Sequence, residues 1–147
     1  MRSVTVRQLR EVDDDGLDGM PLEMVTLIGK MTHRESNISA WCFDINDGTG
    51  VVEASKNIVV NRVINSVEER VARESIEHLI VARDCGPPDG WVDDIYYRVV
   101  GVFNSKSTCI DIDHIRPVTN MNELTMHFIE CVYQHAQITK RNKEKLN

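Results

Sequence analysis

The sequence has no CxxC pair and no HExxH motif. Its four cysteines, Cys42, Cys85, Cys109 and Cys131, stand far apart, which gives neither a zinc pattern nor a disulfide framework. That spacing points to a reducing compartment, with Cys42 and Cys109 as buried structural thiols in apolar strand-like runs. The five histidines show no paired spacing, so no metal site and no cofactor are expected. No serine, cysteine or lysine stands in a nucleophile motif such as GxSxG. No catalytic residue is therefore assigned, and the expectation is a binding protein rather than an enzyme. The first residues, MRSVTVRQLR, hold no apolar h-region, and no run approaches the length of a membrane span. The expected location is intracellular. Positive charge is scarce too: 17 Lys and Arg against 23 Asp and Glu leave a net charge of -6. That excludes a chain that holds polyanions by bulk charge, and leaves room only for a local basic groove.

What is present suits one domain. The chain has 147 residues, 41% hydrophobic and 27% charged, enough to bury a core without disulfides. VTVRQL (4–9) reads as a short ordered lead-in and the acidic run 13–18 as a solvated loop. MPLEMVTLIGKM (20–31) is apolar and β-branched, with Gly29 marking a bulge or sharp bend. THRESNIS (32–39) reads as a polar loop. Trp41, Phe43 and Ile45 then alternate with Ala40, Cys42 and Asp44, which is a strand with an apolar face. Asn46-Asp47-Gly48-Thr49-Gly50 is a hairpin turn into a strand over 51–54. Its superficial likeness to a calcium loop fails, because the glycine comes one position early and Ser55 replaces the closing glutamate. Helical spacing of Val67, Val71 and Leu79 predicts a helix over 65–82, broken by Cys85-Gly86-Pro87-Pro88-Asp89-Gly90. IYYRVVGVF (95–103) and 108–115 are strands joined by a turn at 104–106. A terminal helix over about 120–138 opens on an Asn120/Glu123 capping box. Residues 139–147 read as a charged, frayed tail. Three strands, a helix, two strands and a final helix describe a mainly β five-stranded OB-fold barrel, with residues 1–138 as one domain.

Four stretches also resemble a known family. VTLIGKM, DINDGTG, YYRVVGVF and IRPVTNMNELTMHFIECVYQH are similar to the middle subunit of replication protein A, the plant members above all, over roughly residues 4–138. The resemblance implies an OB-fold that binds single-stranded DNA weakly inside a heterotrimer with a large and a small subunit. It further implies a nuclear location, work in DNA replication, repair and recombination, and assembly through C-terminal helices, here Asn122 to about Ile138. The family's Ser/Gly-rich N-terminal tail and C-terminal winged-helix domain have no counterpart, as in a trimmed chain or a short paralogue. The region Asn61–Gly90 is longer than the family's connection. Ile58 stands where the family has a stacking tryptophan, and an aliphatic side chain cannot supply base stacking, worth about 1–3 kcal/mol per base. The second stacking aromatic matches Phe103.

Single-strand binding needs cations beside aromatic faces. Lys30, Thr32 and Arg34, then Lys56 and Asn57, then Arg98, Phe103 and Lys106 fall at the edges an OB-fold uses. Each charged one could equally be an ordinary solubilising group. Trp91, after Pro-Pro-Asp-Gly, is either an exposed ligand contact or a ring folded over the barrel mouth. Leu124, Phe128, Cys131, Val132 and His135 lie along one face of the terminal helix, widened by Ile129, Tyr133 and Ala136. That stripe packs either on its own barrel or against partner helices. The 61–90 helix is a barrel plug or a docking site. The alternatives to a replication protein A-like subunit are a subunit of a telomere-capping single-strand-binding complex and an assembly scaffold that touches no DNA.

Overall fold

A computed structural model describes residues 1–36, 40–57 and 91–146. Ile58, the Asn61–Gly90 insertion and its expected helix lie outside the described residues. The described elements are β1 (Arg2–Ser3), α1 (Val6–Leu9), β2 (Met24–Ser36), β3 (Ala40–Asn46), β4 (Val51–Asn57), β5 (Ile95–Asn104), β6 (Cys109–Pro117) and α2 (Met121–Leu146).

One long strand organises the sheet. The first part of β2, from Met24 to Met31, pairs antiparallel with β5, and its second part, from Lys30 to Ser36, pairs antiparallel with β3. β3 and β4 form the expected hairpin, β4 runs parallel to β6, and β6 returns antiparallel to β5. The pairings therefore pass from β2 through β3, β4, β6 and β5 back to β2. Among the described residues the sheet has six strands, not five: the lead-in contributes the two-residue β1, parallel to β2 at Val25 and Thr26. The lead-in then turns into α1, which carries a Thr5/Gln8 capping box.

The residues 32–36 that read as loop continue β2. Thr32 and Arg34 are exposed there, so their polarity reflects strand positions that face solvent, not a break in pairing. Gly29 is not a bulge, since the register with β5 runs through it without a shift. A Cβ there would stand 2.7 Å from Ile45 Cγ2 and 2.9 Å from the Asn46 carbonyl oxygen, so the glycine admits the close approach of β3. The bulges fall instead at His33/Glu35 and at Val100/Gly101.

The core lies inside the ring. Leu27, Met31, Phe43, Ile45, Val52, Ala54, Tyr97, Val99, Phe103, Ile110 and Ile112 are buried in one cluster, as period-two alternation requires. The other face of β2 is covered as well: Thr26 and Ile28 are buried on the strand against which α2 packs. The hairpin turn is fixed by Asp47, whose buried carboxylate accepts from Thr49 N (2.8 Å) and from Val6 N of α1 (2.8 Å). Asp47 is the hub of the turn.

Candidate functional site

The terminal helix is longer than its spacing suggested. α2 continues through the expected tail to Leu146. Its opening is not a reciprocal capping box. Asn120 Oδ1 accepts from Asn122 N at 2.9 Å, while Glu123 reaches across to Arg98 Nε at 2.7 Å and to Arg116. Hydrogen bonds from Arg116 and then Arg98 hold the Glu123 carboxyl below its usual range. Arg98 thus pins the helix start to β5 through its ion pair with Glu123.

Two faces of α2 do different work. The inner face carries His127, 1% exposed, with Nε2 3.1 Å from the Val4 carbonyl oxygen, and Cys131 beside it at 3.5 Å. Burial lowers the His127 pKa and pushes the Cys131 thiol up to about 12, which leaves that thiol inert. Glu130 and Gln134 hold Ser3, and His135 Nδ1 lies 2.8 Å from Asp18 Oδ2. Cys131 and His135, expected in the subunit interface, therefore face their own sheet and loop. Leu124 is half-buried.

The outer face is apolar and largely exposed. Thr125, Phe128, Ile129, Val132, Tyr133 and Ala136 line one continuous groove. Val132 is 69% exposed, Tyr133 63% and Ile129 53%, while Phe128 is half-buried. The spacing 125, 129, 132, 136 alternates four and three, the seam of helix-on-helix packing. A large contiguous apolar patch on a helix marks an interaction site.

The cationic positions are less unified. Lys30, Thr32 and Arg34 are exposed on β2. Lys30 Nζ stands 5.6 Å from the Tyr96 ring centroid, Thr32 Oγ1 donates to Asp94 at 2.8 Å, and Arg34 forms an ion pair with Glu53. Thr32, Asp44 and Glu53 are successive cross-strand neighbours, so carboxylates interrupt the track. Lys56 is half-buried, with Nζ 3.4 Å from the Asp113 carbonyl oxygen, and Asn57 is exposed. Lys106 is exposed in the β5–β6 turn, where its N–H donates to Asn104 Oδ1.

Two aromatic assignments change. Phe103 is 8% exposed and packs in the core, so it has no free face for a base. Trp91 is half-buried, stacked on Tyr97 (centroids 4.4 Å apart, 7° between planes) and 4.6 Å from Phe43. It folds over the core. Its indole N–H donates to Asp93, whose carboxylate also accepts from His33 N at 2.9 Å. The His33 bond and then the indole hold the Asp93 carboxyl below its usual range. Sequence reading overlooked Tyr96, the ring beneath Lys30, because period two alone does not say which cation would sit beside it.

No family model matches the chain. Its relatives are consistent all the same. A replication protein A 32 kDa subunit of Arabidopsis thaliana is 26% identical over 145 residues, covering 93% of this chain and 44% of that protein. A replication protein A 32 kDa subunit of Oryza sativa is 26% identical over 154 residues, covering 98% of this chain and 44% of its own length. This chain resembles the replication protein A middle subunit. It spans less than half the length of those relatives. Among solved structures, a replication protein A heterotrimer bound to single-stranded DNA matches with TM-score 0.68 and 24% identity, over 94% of this chain and 97% of that one. The S. pombe Stn1-Ten1 complex matches with TM-score 0.70 and 12% identity, over 98% and 97%. These likenesses give the fold. The likeness to replication protein A extends to sequence.

Proposed function

We propose that this chain is the single-stranded DNA-binding subunit of a nuclear, replication protein A-like heterotrimer in DNA replication, repair and recombination. The outer face of α2 joins it to helices of a large and a small subunit. On this reading the ring from β2 to β5 is a five-stranded OB-fold barrel and β1 is an addition to it. The observation that carries the proposal is the division of α2: polar bonds fasten one face to the sheet, and an apolar seam is left on the other. A helix needs no such seam for its own barrel. The work is binding, not catalysis. A telomere-capping subunit is supported by the Stn1-Ten1 likeness, but at 12% identity that likeness is one of fold. The sequence relatives favour the first reading.

DNA contact by this barrel is expected to be a minor part of the whole complex. The net charge is -6, Glu53 pairs with Arg34, and Asp94 sits beside Thr32 and Asp93 beside His33. Lys30 over Tyr96 is the best-placed pair of a cation and a ring. Fluorescence anisotropy of the chain with labelled oligo-dT should give a Kd of roughly micromolar or weaker, with a shallow salt slope from few phosphate contacts. Nanomolar affinity at physiological salt would contradict this reading.

A further inference from the structure

Asp18 stands at the meeting point of three parts of the chain. Its carboxylate Oδ2 accepts from Arg2 Nη2 of β1 and lies 2.8 Å from His135 Nδ1 of α2. Its main-chain oxygen accepts from Asn142 Nδ2 at 2.9 Å. The Arg2 and Asp18 side chains are 11% and 12% exposed. Burial alone would raise the Asp18 pKa, but the bonds from Arg2 and His135 outweigh it and hold the carboxyl below its usual range.

The residue is placed rigidly. Leu17, 1% exposed, anchors the acidic loop in the core. Leu17 and Met20 exchange two main-chain hydrogen bonds, 2.8 and 3.0 Å. Asp18 itself takes a left-handed backbone, φ 54°, a conformation that Asp and Asn tolerate better than most residues.

Beyond Gln134, the hydrogen bonds that α2 makes to other parts of the chain, among the described residues, end on Asp18 alone. The eleven residues that follow His135 up to Leu146 form an arm of about 16 Å at 1.5 Å per residue. His135 and Asn142 are seven positions apart, two turns, and so project from the same side of the helix. Two bonds two turns apart fix both the tilt of this arm and its rotation about its axis. Phe128 of the seam stands seven positions before His135, so the two bonds run along the edge of the seam that borders the sheet.

We infer that Asp18 is the positioning residue for the C-terminal part of the assembly helix, a clasp by which the acidic loop holds the last turn of the seam and the arm that continues it in place for the partners. The inference rests on the assembly reading above. It gives the run 13–18 a role that solvation alone does not, and it joins a loop distant in sequence to the subunit interface.

The test uses the full 147-residue chain and two variants. Asp18→Asn keeps the left-handed turn and removes the charge. His135→Ala/Asn142→Ala removes the helix's side of the clasp while raising helix propensity, so lost protection cannot come from a poorer helix former. Amide hydrogen exchange on the chain alone should show protection over 136–145 falling tenfold or more in both variants, with the amides of β2 and β5 unchanged. Co-expressed with the large and small subunits and competing against the parent chain, both variants should enter the complex several-fold less well. Parent-like protection over 136–145 overturns the clasp whatever the partners do. Lost protection with undiminished entry into the complex overturns its positioning role. Whether the parent chain assembles at all is read separately in the same co-expression, and its failure would count against the assembly reading.

Discussion

Replacing Phe128 and Val132 together by aspartate is expected to abolish association with partner subunits while the sheet stays folded. Both residues lie on the outer seam of α2, Val132 69% exposed and Phe128 half-buried. Neither belongs to the core cluster inside the ring, so the sheet loses little. In a helix bundle the same positions would be buried at the centre of the contact. An uncompensated carboxylate buried there costs about 3–5 kcal/mol, and central anchors dominate such interfaces. Two such charges would weaken association by several orders of magnitude. Affinity co-purification measures this directly, and a melting curve within a few degrees of the parent shows that the fold survives. Co-purification at the parent's ratio would mean that the seam is not the interface.

The second large effect is on the fold itself. Gly101 lies inside the ring at the bulge between β5 and β6. A Cβ there would stand 2.2 Å from the Asp111 carbonyl oxygen and 2.9 Å from its carbon. Both are backbone atoms of a paired strand, so no side chain can swing away to relieve the clash. Gly101→Ala must push β6 off β5, across the antiparallel pairing that runs from Tyr97 to Asn104. Overpacking against movable side chains costs about 1–3 kcal/mol, and a clash with fixed backbone should exceed that. In a domain of this size such a loss lowers Tm by about 10 °C or more. Gly48 is the natural control: its φ of 89° strains an alanine, but no atom stands within 4 Å of the added Cβ, so its penalty should be smaller. If Gly101→Ala melts like the parent, the close approach of β6 at that point is wrong.

Much of the strand order was legible because period two and turn chemistry act locally. The Asp47-Gly48-Thr49-Gly50 turn, the inward Phe43 and Ile45, and the last two strands all follow from neighbours in sequence. The phase of α2 did not. Its sequence carries two apolar stripes, one through Cys131 and one through Val132, and spacing alone cannot say which meets the sheet. Polar residues decide it: Ser3, Asp18, Arg98 and Arg116 pull Glu130, Gln134, His135 and Glu123 inward. Those partners lie up to 131 residues away in the sequence, as with Ser3 and Gln134. The same limit applies to the cations. Arg98 looked like a groove residue until Glu123 claimed it, and Phe103 looked like a stacking ring until the inward face of β5 buried it.

On the proposed reading α2 brings this chain into a complex with two further subunits. Co-expression with a large and a small replication protein A subunit, followed by size-exclusion chromatography and native mass measurement, tests it most directly. The expected result is a single species containing one copy of each chain, lost when the seam carries the two aspartates. A parent chain that elutes alone, beside partners that associate without it, would contradict it.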